Sequence, residues 1–307
     1  MNASQLLLPV SLLPRLERMS LTARTRPAGS MQGKRRSGAL GTSLEFADYR
    51  PYTPGDDLRR FDWRVYSRTG KPFVREYYDE QELQVSIYLD CSASMSAGTS
   101  EEASPHYELL NKWRFARQLA GCIGYIALAA YERVDLYGCK EGGAIRLPAL
   151  RGKGAARRLF QVLNDMAAGG GSGLEASLMT PGLLPRRRGM SWLISDGWME
   201  EGEAEMERVL QRLMAAGQEI VFVHVLSPGE VSPDYSGDLR LVDVEAGTGK
   251  EVAMTGKIIQ AYQHELRTYQ MTLASMYAAR GMRYVFIQSD LPLEQAVLQA
   301  VSGSAGL

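Results

Sequence analysis

The segment Asp90-Cys91-Ser92-Ala93-Ser94 places one carboxylate and two hydroxyls at alternate positions. As the chain turns, all three oxygens can converge on one point. Hard oxygen donors of this kind suit Mg2+, which commonly takes only one or two carboxylates and keeps several waters. Two further stretches could complete the set. Gly169-Gly170-Gly171-Ser172-Gly173 brings a third hydroxyl, Ser172, on a loop without obstructing side chains, and Ile194-Ser195-Asp196-Gly197 brings a second carboxylate, Asp196. Asp196 would ligate directly or through water. The result is an incomplete cage, open to an acidic side chain from a partner. Asp and Ser at such positions also form turn and capping hydrogen bonds, so the Asp90 segment alone leaves both readings open.

Other chemistry finds little material. The three cysteines, Cys91, Cys122 and Cys139, are odd in number and lack metal-ligand spacing, which excludes a disulfide framework and suits a reducing compartment. Cys91, beside Asp90, reads as a small buried residue. Of three histidines, His224 lies inside an apolar run and reads as a satisfied core residue, while His264 lacks the second histidine of a zinc-protease helix. No P-loop and no G-x-S-x-G elbow is present. The enzyme class that stays open is a Mg2+-dependent phosphoryl-transfer or hydrolytic enzyme using Asp90 and Asp196. Against it, the second residue after Asp90 is Ser92, not the acid expected of an aspartyl-phosphate hydrolase.

These residues need elements to position them. From residue 84 the chain alternates apolar strand patterns with helical ones. QVSIYL ends at Asp90, MSWLIS ends before Asp196, and IVFVHVL follows over residues 220–226. Continuous apolar strands separated by helices predict an α/β fold, a doubly wound, mostly parallel sheet covered on both faces. In the strand order 3-2-1-4-5-6 the strands ending at Asp90 and Asp196 are neighbours, and ligands bind at that switch point. Residues 134–138 and 144–147 predict an edge hairpin, and residues 239–254 a hairpin within an insertion around 228–255. Helices are expected over residues 109–131, 155–167, 201–216, 257–279 and 293–301. Ahead of this domain, residues 41–83 are dense in charges and aromatics and predict a small β-rich module, with a strand over 73–78. Residues 1–40 form a basic arm of net charge +6, against −6 for residues 41–307, with a short helix over 14–21.

Asp90-x-Ser92-x-Ser94 after a strand, the later hydroxyl loop and Asp196 together resemble the von Willebrand factor type A fold. Its metal-ion-dependent adhesion site (MIDAS) has the form DxSxS…T…D. The stretch from Tyr49 to Trp63, YRPYTPGDDLRRFDW, with Leu44-Glu45-Phe46 before it, resembles the signature of the bacterial family called domain of unknown function 58. In that family the signature leads into a type A domain, as it does here, and the likeness runs over about residues 12–301. It implies a Rossmann-type sheet, a Mg2+ (or Mn2+/Ca2+) site made by Asp90, Ser92, Ser94, Ser172 and Asp196, and a binding role rather than catalysis. It also implies a MoxR-type AAA+ ATPase as partner, in maturation or assembly of protein complexes. Ser172 stands where the pattern usually has threonine, and its hydroxyl is less constrained in rotamer.

Within the signature, Asp56, Asp57, Arg59, Arg60, Asp62 and Trp63 are candidates for partner docking. Asp56, Asp57 and the arginines equally suit a turn laced by surface ion pairs, each worth about 0–1 kcal/mol. Trp63 is expected to anchor the module on the sheet domain. The whole chain of 307 residues has 35 basic and 35 acidic groups, so nothing in its balance points to nucleic acid, and solvated loops are the default for Lys34-Arg35-Arg36 and Arg186-Arg187-Arg188. No membrane span is expected. The longest uncharged apolar-rich run, residues 118–131, has 14 residues, against about 20 needed. The leading run LLLPVSLL is broken by Pro9 and preceded by no basic residue, unlike a signal peptide. The expected location is therefore the cytoplasm.

Overall fold

A computed structural model describes residues 7–21, 37–40, 46–79, 83–96, 111–180, 182–199, 202–233, 237–242 and 249–302. The chain forms two compact units, one of residues 1–22 and 83–307, the other of residues 23–82. The stretch expected as one basic arm over 1–40 is thus divided between them.

The chain enters the larger unit through a 3₁₀ turn, Val10–Leu12, and the short helix α1 (Leu13–Leu16). This helix is shorter than expected: beyond Leu16 the amides of Arg18 and Met19 bond three residues back, to Arg15 and Leu16, and the turn tightens. Leu7, Leu8, Leu12, Leu16 and Leu21 are all buried. They belong to the core of this unit, where a Cβ on Gly121 would lie 2.9 Å from the Leu7 side chain.

The smaller unit contains an antiparallel sheet ordered β1-β3-β2, with β1 (Ser37–Leu40), β2 (Phe46–Pro51) and β3 (Phe73–Asp79). Between β2 and β3 lies helix α2 (Trp63–Thr69), which the aromatic-rich sequence did not announce. Asp62 caps it by accepting from the Arg64 and Val65 amides at 2.9 and 3.0 Å, and Gly70 closes it in the left-handed region at φ 67°.

The larger unit has a six-stranded sheet. Its strands are β4 (Gln84–Asp90), β5 (Arg133–Lys140), β6 (Gly143–Arg151), β7 (Gly189–Ser195), β8 (Gln218–Leu226) and, after the hairpin β9 (Gly237–Val242) and β10 (Gly249–Met254), β11 (Arg283–Gln288). The order β11-β8-β7-β4-β5-β6 is the doubly wound order expected, with only the edge strand β6 antiparallel. Every residue of β4 is buried, as a strand covered on both faces requires. One face carries α3 (Lys112–Ala129), α4 (Ala156–Asp165) and α9 (Leu293–Ser302). The other carries α5 (Leu174–Met179), α6 (Glu203–Ala215) and α8 (Gly256–Ala279), through Leu174, Val209, Leu213, Leu273 and Tyr277 packed on Tyr88, Tyr137 and Phe222. A single turn, α7 (Pro228–Val231), follows β8. Among the described residues no helix is long and apolar enough to cross a membrane.

Candidate metal centre

β4 and β7 lie side by side and parallel, with Leu89 opposite Ile194. The chain leaves both strands at the same end of the sheet, so Asp90 meets Ser195 and Asp196 across a sequence gap of more than a hundred residues. Asp90 is fully buried. Its Oδ2 accepts from Ser195 Oγ at 2.7 Å, and its Oδ1 accepts from the Ser92 amide at 3.0 Å. The second bond is the turn bond that Asp favours in any loop. Ser195 in turn accepts from the Gly197 amide at 2.9 Å. The Ser92 and Ser94 hydroxyls lie 2.9 Å apart, so the alternate spacing does converge.

The glycine loop is fastened to this turn by main-chain bonds. The Gly169 amide donates to the Cys91 carbonyl and the Ala93 amide to the Gly170 carbonyl, both at 2.8 Å. Gly173 lies so close to β5 that a Cβ there would fall 2.1 Å from the carbonyl carbon of Lys140; any other residue would push the loop away. Held in this way, Ser172 has its Oγ shielded from solvent and without a hydrogen-bond partner among the described residues.

Asp196 is also buried, and it is not free. Its Oδ2 accepts from Lys112 Nζ at 2.8 Å, and its Oδ1 from the Trp198 amide at 3.2 Å. Lys112 is only 2% exposed and pairs with Glu230 as well. Burial pulls its ammonium toward neutrality, but the charges of Asp196 and Glu230 outweigh this and raise its pKa. The Asp90 carboxyl is pushed up to about 7, first by burial and then by the charge of Asp196, against the opposing bonds from Ser195 and Ser92.

Sequence reading missed Lys112, Glu230 and Ser195. A signal existed for Lys112: it opens α3 after the cap Asn111, whose Oδ1 accepts from the Arg114 amide at 3.1 Å. A cation at a helix N-terminus opposes the macrodipole, so this lysine calls for a partner elsewhere. Glu230 is announced by the capping box Ser227-x-x-Glu230. Nothing local marks Ser195.

These residues fit a hard divalent cation. Asp90 lies within the influence of the Asp196 carboxylate, the Lys112 ammonium pairs with Asp196 and Glu230, and the buried hydroxyls of Ser92 and Ser94, with the orphaned Oγ of Ser172, add neutral oxygens. Among the described residues no three His, Cys, Asp or Glu side chains cluster to hold a metal by themselves, so a cation here would need hydroxyls among its ligands. Nearby groups have other duties. His224 shares a 2.7 Å hydrogen bond with the Tyr284 hydroxyl and a bond with the Asp196 main chain, and burial lowers its pKa to about 4. It is a core histidine, as its apolar strand predicts. The Cys91 thiol is pushed up to about 12, mainly by burial.

The signature residues lie in the smaller unit. Asp56 accepts from Arg50 at 2.8 Å and from the Thr53 amide and hydroxyl at 2.7 and 2.8 Å. Asp57 caps a 3₁₀ turn through the Arg59 amide at 3.0 Å. Asp62, besides capping α2, accepts from Arg75 at 2.7 Å and Tyr49 at 2.9 Å. These acids hold their own module together. Trp63 is 64% exposed, and its ring centroid lies 4.5 Å from that of Phe61 and 6.4 Å from that of Tyr66, both in its own unit. Arg59 is exposed and Arg60 half-buried.

The profile of the family described as "Protein of unknown function DUF58" matches residues 48–272. Uncharacterized proteins of Mycobacterium tuberculosis (Rv1480) and Mycobacterium bovis (Mb1516) are each 26% identical over 278 residues, covering 90% of this chain and 84% of theirs. Similar solved structures include the conserved hypothetical protein BatB from Bacteroides thetaiotaomicron, at 17% identity over 72% of this chain and 97% of that one, TM-score 0.37. The SpRpn10 VWA domain is 10% identical over 74% and 99%, TM-score 0.36. A von Willebrand factor type A protein from Catenulispora acidiphila is 19% identical over 48% and 34%, TM-score 0.37.

Proposed function

The chain belongs to the DUF58 family, and from that premise we propose that it is a non-catalytic protein-binding module whose docking depends on a divalent cation at Asp90. The observation that carries this reading is the charge and hydroxyl balance of the site. Asp90 is buried within the influence of the Asp196 carboxylate, the Ser92 and Ser94 hydroxyls lie together, and the Ser172 hydroxyl has no partner among the described residues.

Asp90, Ser92, Ser94 and Ser172 would hold Mg2+ (or Mn2+/Ca2+), with Asp196 ligating directly or through water. When bound, the cation offers an incoming carboxylate a coordination position. The chain's own residues do the rest. Asp90 supplies the carboxylate, which gives up its proton as the cation binds, and the Ser195 bond keeps it oriented. The main-chain bonds of the glycine loop fasten Gly169 and Gly170, just ahead of Ser172, to the turn after Asp90. The partner we expect is an acidic surface of a MoxR-type AAA+ ATPase in the cytoplasm, without a step of catalysis by this chain.

The test is a pull-down with the full chain. Capture of the ATPase should be lost in EDTA, return on adding Mg2+, and be absent for Asp90→Ala with an unchanged far-UV spectrum. Capture at full strength in EDTA would overturn the reading, and turnover of generic phosphatase substrates dependent on Asp90 would replace it with the enzyme alternative.

A further inference from the structure

Lys112 is the charged group at the site for which binding a partner has no use. It is nearly inaccessible, at 2% exposure, and it stands at the helix end where a cation is least welcome. Its Nζ lies 2.8 Å from Asp196 Oδ2 and also pairs with Glu230 Oε1. The other oxygen of Glu230 accepts from the Ser227 amide at 2.7 Å and the Ser227 hydroxyl at 2.8 Å, which closes the α7 turn. The Glu230 carbonyl accepts from Tyr262 of α8 at 2.6 Å. One ammonium therefore joins the second carboxylate of the site, the start of α3 and the turn after β8.

A divalent cation beside Asp90 and this ammonium would both draw on Asp196, and in a buried setting two like charges repel strongly. We propose that Lys112 is a resident competitor. It occupies Asp196 in the metal-free protein, lowers the affinity of the Asp90 site for divalent cations, and is drawn off by Glu230 when such a cation binds. Occupancy is thereby coupled to the α7 turn, and by linkage the coupling is reciprocal: whatever tightens Lys112 on Glu230 favours the cation. The inference rests on the reading of the Asp90 site as a divalent-cation site.

Calorimetric titration of the full chain with Mn2+ alone tests it. Lys112→Met should bind Mn2+ at least tenfold more tightly than the unmodified protein. Glu230→Gln should bind it about threefold more weakly, because Lys112 then rests on Asp196 alone. Amide exchange supplies the second readout: Mg2+ should slow exchange over residues 229–231 in the unmodified protein and leave it unchanged in Lys112→Met. Equal or weaker Mn2+ binding by Lys112→Met overturns the competition while leaving the cation site standing. No binding by either protein overturns the underlying reading as well. Should Lys112→Met fail to fold, Glu230→Gln decides: affinity equal to that of the unmodified protein overturns the proposal.

Discussion

The two units of this chain use the same residue type in opposite ways. In the smaller unit Asp56 and Asp62 are surrounded by donors, and their pKa values lie well below the usual carboxylate range. Arg50 is the main cause for Asp56, and Arg75 for Asp62. In the larger unit Asp90 has two donors but also complete burial and a second carboxylate nearby, and its carboxyl is pushed up to about 7. A carboxylate satisfied by its own module is a fastener; one buried beside a second carboxylate favours its protonated form, and on the proposed reading exchanges that proton for a cation. The difference teaches that the acids of the signature, the conspicuous feature of the sequence, fasten their own module, while the sparse Asp90 segment is where the proposed cation site rests.

The sharpest way to break this comparison is Asp90→Ala. It should weaken Mg2+ or Mn2+ binding by about a hundredfold or more, since even an outer-shell partner is commonly worth 10–100-fold. Calorimetry checks this. Asp62→Ala is the matching change in the other unit. It removes the α2 cap and the partner of Arg75 and Tyr49, so amides of residues 63–69 should lose their protection from exchange, while Mn2+ affinity stays within twofold of the original. If Asp62→Ala abolished metal binding, the division of labour between the two sets of acids would be wrong.

The opposite pKa shifts predict opposite pH responses. For Asp90 the folded pKa lies above the unfolded value of about 3.9, so between about pH 4 and 7 the folded chain holds a proton that the unfolded chain has lost. Stability of the metal-free larger unit should then fall as pH rises through that window, on the order of 1 kcal/mol per pH unit, and saturating Mg2+ should remove the fall. For Asp56 and Asp62 the folded pKa is depressed. Their contribution is present above the unfolded value and is lost as the pH falls from about 4 toward the folded pKa. Segment-resolved amide exchange at pH 3, 5 and 7 separates the two trends; a metal-free Asp90→Asn protein with an undiminished slope between pH 5 and 7 would contradict the assignment to Asp90.

Much of the sheet was legible because burial on both faces leaves a plain record. The runs ending at Leu89, Ser195 and Leu226 are continuous apolar strands separated by helices, which points to a doubly wound sheet. The order that brings Asp90 beside Asp196 is taken from that fold class, not from the runs themselves, and is the order observed. Helix α2 was not legible: its seven residues include aromatics and two hydroxyl residues that read equally well as strand, and the deciding signal was the single cap Asp62. Within the site, Ser92 and Ser94 could be read because they are local to Asp90. Lys112 and Glu230 could not, since 84 residues separate Lys112 from Asp196 and 118 separate it from Glu230; their meeting depends on how α3 and α7 pack at the end of the sheet.

The finest test of the comparison lies between two serines of one site. Ser195 Oγ donates to Asp90 and accepts from Gly197, so Ser195→Ala should strip a buried carboxylate and an amide of partners and cost about 1–3 kcal/mol of metal-free stability. Ser172 Oγ has no hydrogen-bond partner among the described residues. Its removal leaves no donor or acceptor newly unsatisfied, and Ser172→Ala should leave metal-free stability within about 0.5 kcal/mol of the original. Divalent affinity should nonetheless fall, by about tenfold, the lower end of what one supporting group is worth. Urea unfolding without metal and calorimetry with Mn2+ supply the two readings. If Ser172→Ala lost stability and kept its affinity, the hydroxyl would be a fastener like those of the signature, and the contrast between the two units would end at Asp90.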